Sequence, residues 1–313
     1  MFNKNLISSN STIIIGLSGG PDSVFLLHML AALREEKNLT LIAAHLDHEW
    51  RQDSANDVVF CKEVAENLSV TFVSKKMSEL PLSFKANGSQ EEIGRKARRS
   101  FFEQLAQEYN ASAIALAHHA DDQQETFFIR LLRGSSLTGL TGIKSKDGLY
   151  IRPLLHMSKQ EILDYLHKNN IQYLTDPSNQ SSDFLRNRIR NTVIPALREC
   201  DNRYDQNFES THKQLQQTEE FLQSYATEIL NSLQENNTLP LKDLLALNPV
   251  ILNRILILWL IQNKVPFSPS QGLLDEIIRF LKQPGNAKHS FYEKWQIIKM
   301  NGKISIETFK NHL

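Results

Sequence analysis

Apolar and polar positions follow two different rhythms along the first half of the chain. Residues 13–17 read Ile-Ile-Ile-Gly-Leu, an unbroken apolar run of the length of a buried strand. Residues 22–36 then carry Val24, Leu27, Leu30 and Leu33 at helical spacing. The same alternation recurs. Residues 41–46 read as a second buried strand and residues 55–68 as a helix with Ser54 as its N-cap. Residues 70–73 are a third strand, 90–109 a helix with a basic face, 113–117 a fourth strand and 121–132 a further helix. Repeated strand–helix units predict an α/β fold with a doubly wound parallel sheet. Ligands of such sheets sit beyond the carboxyl ends of the strands. Three polar strings fall there, at residues 18–23, 45–51 and 118–126.

Beyond residue 203 the rhythm changes. Residues 204–233 are polar, Gln-rich and helical, with Phe208, Leu215, Leu222 and Ile229 recurring at every seventh position. This predicts a long amphipathic connecting helix packed on a domain. Residues 239–263 and 268–281 read as helices, and Asn301-Gly302 between two short apolar strands is a two-residue hairpin signal. The expected organisation is a catalytic domain over 1–203, a connecting helix over 204–235 and a small α+β C-terminal domain over 236–313.

Composition narrows the function classes. Lys+Arg and Asp+Glu both number 35 in 313 residues, for a formal net charge of +0, which excludes a globally basic nucleic-acid binder but leaves room for a local basic patch. Cys61 and Cys200 are the only cysteines; they offer no disulfide framework, redox pair or thiolate metal cluster. Residues 1–10 lack a signal pattern, and the longest apolar segment, 255–261, is too short to span a bilayer. A cytoplasmic protein without membrane contact is expected.

Four strings carry candidate chemistry. Ser18-Gly19-Gly20-Pro21-Asp22-Ser23 joins the first strand to a helix start, where unpaired backbone N–H groups meet an anion. Gly19 and Gly20 let the backbone approach a phosphate, Pro21 suits the first helical turn, and the Ser18 and Ser23 hydroxyls can donate. The string differs from the nucleoside-triphosphate loop that ends in Gly-Lys-Ser/Thr. His118-His119-Ala120-Asp121-Asp122-Gln123-Gln124-Glu125-Thr126 gathers imidazoles and carboxylates at a strand end. These carboxylates can hold Mg²⁺ through water or accept from an amine, while Asp121 has the simpler reading of a helix N-cap. No dedicated transition-metal site is expected. Arg95, Arg98 and Arg99 lie within one helical turn and suit a phosphate or a carboxylate; a solvated face with Glu91 pairing to Arg95 is the alternative. Asp176-Pro177-Ser178-Asn179 leads into a basic helix whose buried stripe is expected at Ile189, Val193 and Leu197. This places Arg186, Asn187 and Arg190 near one exposed face suited to RNA phosphates, or simply solvated.

The residues 18–23 string resembles the pyrophosphate loop (PP-loop) of the N-type ATP pyrophosphatases, which have a Rossmann-like fold. Further motifs narrow the likeness: His45-Leu46-Asp47-His48, the residues 118–126 string, Leu132-Arg133-Gly134-Ser135-Ser136 with Gly139-Leu140 and Gly142-Ile143, Arg152-Pro153-Leu154-Leu155, and Asp176, Asn179, Arg186, Asn187 and Arg190. Over roughly residues 13–197 these resemble the tRNA(Ile)-lysidine synthases, in the short form with one C-terminal domain. Two positions depart from that pattern. Glu49-Trp50-Arg51 stands where the family often has Gly-Leu-Arg, and Arg99 where it often has Tyr.

The resemblance implies an ATP-dependent carbon–nitrogen ligase. It would adenylate the C2 oxygen of cytidine 34 in the CAU anticodon of tRNA(Ile), release pyrophosphate, and let free L-lysine displace AMP. Ser18, Gly19, Gly20, Pro21, Asp22, Ser23 and His45 are then expected to bind ATP, with Mg²⁺ near Asp22. Asp22, Asp122 and Arg95 are the expected catalytic residues; Asp121, Asp122 and Arg98 bind lysine; Arg133, Arg186, Asn187 and Arg190 contact tRNA. The C-terminal domain holds the tRNA body. Two other readings stay open. A tRNA thiolase of the same superfamily needs cysteines or an iron–sulfur cluster, which Cys61 and Cys200 do not pair to supply. A non-enzymatic RNA- or nucleotide-binding protein is opposed by the intact loop and the Asp121/Asp122 pair.

Overall fold

The apolar run at residues 13–17 becomes the hub of the fold. In the computed structural model, which describes residues 2–80, 90–175, 185–266 and 269–308, it lies in β1 (Ser11–Gly16). The chain divides into two units, Met1–Glu209 and Ser210–Leu313. In the first, β1 is followed by α1 (Pro21–Ala32), α2 (Arg34–Lys37), β2 (Leu39–Asp47), α3 (Ser54–Asn67), β3 (Thr71–Lys76), α4 (Gln90–Glu108), β4 (Ala113–Ala115) and α5 (Ala120–Leu132). Then come α6 (Leu137–Leu140), β5 (Lys146–Asp147), β6 (Tyr150–Ile151), α7 (Lys159–Lys168), α8 (Leu185–Arg188) and α9 (Ile194–Cys200).

The sheet order is β3-β2-β1-β4-β6-β5, parallel except for the antiparallel β5–β6 edge. Ile13 and Ile15 pack on one face with Val24, Leu27 and Leu30 of α1. Ile14 packs on the other with Phe101, Phe102 and Leu105 of α4. Burial on both faces is why β1 reads as a continuous apolar run rather than an alternating one. The chain winds outward in one direction through β2 and β3 and in the other through β4 and β6. The switch point therefore lies between β1 and β4, and the loops leaving their carboxyl ends meet there.

Most sequence boundaries hold to within a few residues, with three corrections of physical interest. Asp53, not Ser54, occupies the N-cap of α3. Between α8 and α9 the backbone widens to a π-helix over Ile189–Val193. The extra residue in that turn moves the buried stripe from Val193, which is exposed, to Ile194, which is buried beside Ile189. The expected helix over 239–263 is broken. Leu239–Pro240 is β7, Leu241–Leu245 is α11, and α12 starts afresh at Pro249–Gln262. Pro249 takes the first turn, and the Asn248 side chain accepts from Val250 N at 2.9 Å.

The second unit takes most of α10 (Tyr204–Leu233), then β7, α11 and α12, α13 (Gln271–Lys282), β8 (Ala287–Tyr292), β9 (Trp295–Met300) and β10 (Lys303–Thr308). Its antiparallel sheet runs β7-β10-β9-β8. Asn301 (φ 50°) and Gly302 (φ 72°) form the expected tight hairpin turn. Ala226 and Leu230 of α10 join Ile255, Leu256 and Trp259 of α12 in this core. Earlier in α10 the inward positions are polar. Glu219 forms a two-pronged pair with Arg254, at 2.6 Å for each contact, and both side chains are 11% exposed. No described helix is long and apolar enough to cross a membrane.

Candidate functional site

The loop after β1 is held by its own side chains. Gly19 has φ 82°, a left-handed conformation that suits glycine, and its carbonyl accepts from Leu174 N at 2.9 Å. Gly20 has ordinary extended geometry (φ −69°, ψ 162°) and is the N-cap of α1, with Pro21 in the first turn. Ser23 Oγ donates to Gly20 O at 2.9 Å and accepts from Ser18 N at 3.1 Å. Ser18 Oγ also lies 3.1 Å from Ser23 Oγ, so the buried Ser23 hydroxyl braces the loop from within. Ser18 is exposed. Ser23→Ala should cost about 1–2 kcal/mol of stability, because Ser18 N–H and Gly20 C=O both lose a partner; denaturant unfolding measures this.

His45 also braces the loop. It is buried in β2, and its Nδ1 lies 2.9 Å from Leu17 O, while Leu17 N donates to Ala44 O at 2.9 Å. Burial pushes its pKa down, only partly offset by the Leu17 contact and the charges of Asp47 and Asp57.

The loop after β4 brings the second set of groups. His119 caps α5, with its backbone N–H donating to Asp122 Oδ2 at 2.9 Å. Asp122 is therefore the capping carboxylate, and the N-cap reading of Asp121 is corrected. Asp121 instead bridges elements: Oδ2 accepts from Lys159 N at 2.8 Å and Oδ1 from Arg198 Nη2 at 2.9 Å. The buried His119 ring lies among three carboxylates, 3.6 Å from Asp22, 3.4 Å from Asp121 and 3.6 Å from Asp122. Burial opposes its charge, but contact with Asp121 and the charges of Asp122 and Asp22 outweigh it and raise its pKa. Burial likewise opposes ionisation of Asp121 and Asp122. For Asp121, His119, the Lys159 amide and Arg198 prevail; for Asp122, the neighbouring imidazoles and Arg186 do. Both carboxylates stay below their usual range. His118, by contrast, is driven down to about 4 by burial.

A pH dependence follows. A histidine whose folded pKa is raised contributes stability in full below its unfolded value of about 6.5, and loses it as pH rises through the folded value. The stability gap between the native protein and His119→Gln should shrink as pH rises from about 6.5 through the raised folded value. Denaturant midpoints above about pH 6 test this; a constant gap would mean that the His119 pKa is not raised by folding.

Glu125, one turn further along α5, is fully buried. It accepts from Arg186 Nε at 2.6 Å and from Arg190 Nε at 2.5 Å, while Arg186 Nη2 reaches Asp122 at 3.2 Å. Arg186 and Arg190 thus do not lie on the fully exposed face expected from the sequence. They are half-buried and turn inward onto a carboxylate, because an ionised Glu125 without them would be a bare buried charge. Asn187 is half-buried on the same helix. Arg133 is exposed just past the end of α5. The Leu132–Ile143 motif is clamped to α5 by Gln123, which exchanges two hydrogen bonds with Ile143, and by Arg130, which donates to Gly142 O at 2.9 Å.

The basic face of α4 is divided. Arg95 is exposed, with no ion pair among the described residues. Arg98 lies near enough to His48 to help burial push its pKa down to about 4. The Glu91 side chain and residues 176–179 lie outside the described residues. Both departures from the family pattern have physical accounts. Glu49 adopts φ 56°, the conformation that glycine would favour, and accepts from Ser78 N at 3.0 Å. Trp50 stacks on His48 with ring centroids 4.4 Å apart, and its edge fills the space that a side chain at Gly94 would need. Arg99 pairs with Glu103 at 2.9 Å and lies 4.9 Å over the Tyr150 ring.

Lys159 and Arg198 were not among the residues expected from the sequence. Each reaches the carboxylate cluster from a helix far along the chain; Lys159 Nζ lies 2.6 Å from Asp22 Oδ1, across 137 positions. No local pattern could pair them with it. Among the described residues no group of His, Cys, Asp and Glu forms a metal-binding set. Cys61 is buried, its pKa raised to about 12 by burial, and Cys200 is exposed.

Comparisons with known proteins agree with this geometry. The chain is 33% identical over 292 residues to a tRNA(Ile)-lysidine synthase of Bacillus cereus, covering 89% of this chain and 61% of the relative. It is 40% identical over 197 residues to a tRNA(Ile)-lysidine synthase of Clostridium tetani, covering 62% of this chain and 42% of the relative. The chain thus spans about three-fifths or less of the length of these relatives. Among solved structures, a U34-tRNA thiolase of Methanococcus maripaludis with a [4Fe-4S] cluster shares the fold, with a TM-score of 0.56 at 17% identity over 68% of this chain and 74% of that one. Residues 1–197 match the PP-loop domain, and with the braced glycine loop at the switch point of its sheet the chain belongs to that family.

Proposed function

We propose that this chain ligates free L-lysine to C2 of cytidine 34 in the CAU anticodon of tRNA(Ile), using ATP and releasing AMP and pyrophosphate. The observation that carries this reading is the meeting of two loops: an anion-binding turn after β1 and a carboxylate cluster after β4, joined through Asp22 and His119. One loop suits a polyphosphate and the other an ammonium group, and the reaction needs both.

The chemistry follows in two steps. The C2 oxygen of cytidine is a poor leaving group, so it first attacks the α-phosphate of ATP, with the N–H groups at the start of α1 receiving the phosphates. Asp22 Oδ2 lies beyond hydrogen-bond distance of His119, so an oxygen remains for the Mg²⁺ that accompanies ATP. That ion would supply charge neutralisation at the phosphates. The lysine ammonium then gives up a proton, its neutral amine attacks C2, and the bond from C2 to oxygen breaks as AMP leaves with the electron pair. Asp121 accepts from Lys159 N and Arg198 Nη2, and Asp122 from His119 N and Arg186 Nη2, so each carboxylate keeps further lone pairs for an ammonium. Asp122 is kept ionised and takes the substrate ammonium. Exposed Arg133 meets the RNA backbone, exposed Arg95 the nucleotide phosphates, and Arg98 the lysine carboxylate. The unit Ser210–Leu313 holds the tRNA body, and the protein works in the cytoplasm with its tRNA.

The thiolase reading is weaker. Cys61 is buried with its pKa raised, which makes it a poor thiolate. Cys200 is the other cysteine in the chain. Transfer of labelled lysine to a tRNA(Ile) transcript with C34, against a U34 transcript and a methionine tRNA, tests the proposal. Incorporation into the C34 isoleucine tRNA alone, with AMP formed, supports it. AMP release without lysine incorporation rejects it in favour of another nucleophile. Asp122→Asn should raise the KM for lysine by about 10-fold or more, through loss of a charge-assisted hydrogen bond; an unchanged KM removes Asp122 from the lysine site.

A further inference from the structure

The residues 18–23 loop contains no cation of its own. A nucleoside-triphosphate loop ends in a lysine that reaches the terminal phosphates. Here the anion to be stabilised is pyrophosphate, which carries away the electron pair of the broken bond. The fold brings one ammonium group to the loop from elsewhere. Lys159 Nζ lies 2.6 Å from Asp22 Oδ1, in the first turn of α1. Among the described residues it is the one Lys or Arg in hydrogen-bond contact with the loop.

The rest of Lys159 is fixed. Its backbone N–H donates to Asp121 at 2.8 Å, and Ser158 caps the helix that begins there, with Oγ accepting from Glu161 N at 3.2 Å. The side chain remains 34% exposed. An ammonium has three donors, and one is used on Asp22.

We propose that Lys159 is the pyrophosphate-binding cation of this site. For the reaction step this rests on the proposed function. As the nucleophilic oxygen bonds to the α-phosphorus, the bond from that phosphorus to the bridging oxygen breaks and its electron pair stays on pyrophosphate. Lys159 donates hydrogen bonds to the departing oxygens and keeps its proton throughout. Asp22 holds the ammonium in place before the nucleotide enters and passes it to the phosphates when it does.

Calorimetric binding of inorganic pyrophosphate in magnesium-free buffer, without tRNA or lysine, tests the assignment. Lys159→Gln should weaken binding about 10-fold or more, and Lys159→Arg should recover part of the loss. Asp22→Asn frees the ammonium and removes a repelling carboxylate, so it should bind pyrophosphate at least as tightly as the native protein. If Lys159 merely braced the loop through Asp22, the Gln and Asn variants would weaken binding alike, which overturns the proposal. Native affinity in Lys159→Gln, or no pyrophosphate binding by the native protein, overturns it as well. A native protein that binds pyrophosphate through Lys159 but transfers no lysine to tRNA rejects the proposed function and leaves Lys159 standing.

Discussion

Gly20→Ala should leave the protein as stable as the native one and reduce its ATP-dependent turnover by about 100-fold or more. Gly20 has φ −69° and ψ 162°, which alanine adopts without strain, and an added Cβ would meet only Ser18 Oγ, at 3.6 Å. Nothing in the folded protein needs a glycine there. What needs it is the ligand, because the methyl group would stand where a phosphate must approach the amides at the start of α1. Gly19→Ala is the contrasting case. Its φ of 82° is costly for alanine, and the new Cβ would lie 2.7 Å from Leu174 Cδ1 and 3.2 Å from Cys61 Sγ. This variant should lose about 1–3 kcal/mol of stability as well as activity. Melting curves and AMP release measured on both variants separate the roles. A Gly20→Ala protein with native turnover would show that phosphates do not approach the loop at that point.

That contrast marks how far the sequence could be read. Both glycines sit in one string, and the string, its flanking strand and its helix were all legible, because a fully buried strand and a turn into a helix each impose a local pattern. Which glycine serves the backbone and which the ligand depends on Leu174 and Cys61, neither of which is near in sequence. Edge elements were missed for a related reason: β5 and β6 have two residues each, too few to show a period. Val193 was misplaced by a single π turn, because a wide turn shifts the face of every residue after it.

The basic residues show the same limit more sharply. A run such as Arg186-Asn187-Arg188-Ile189-Arg190 looks like an RNA-facing surface, since its counter-charge is absent from the string. That counter-charge is Glu125, 61 positions earlier. Arg254 finds Glu219 in the same way, at the inward face of a helix whose sequence reads as amphipathic. Charge clusters show that a partner exists; the fold decides whether it is RNA or a buried carboxylate.

Glu125→Ala should therefore be among the most damaging substitutions in the chain. It removes a fully buried carboxylate that receives both Arg186 and Arg190. Breaking a buried charge network from one side costs about 3–5 kcal/mol. The expected loss is about 3 kcal/mol, the low end of that range, since the guanidinium side chains are 35% and 38% exposed and can turn to water. Function should suffer beyond stability. Arg186 also holds Asp122 at 3.2 Å, so a displaced Arg186 shifts the carboxylate proposed to take lysine, and a misplacement of about 1 Å can cost about 100-fold in turnover. Glu125→Gln keeps the shape but offers one acceptor oxygen to two donors; it should fold and lose roughly half as much stability. Denaturant unfolding and lysine transfer measured on both variants decide the matter. If both stayed within about 0.5 kcal/mol of the native protein, Glu125 would not be organising the two arginines. If Glu125→Gln lost turnover with the KM for lysine unchanged, the arginines would act on the nucleotide rather than through Asp122.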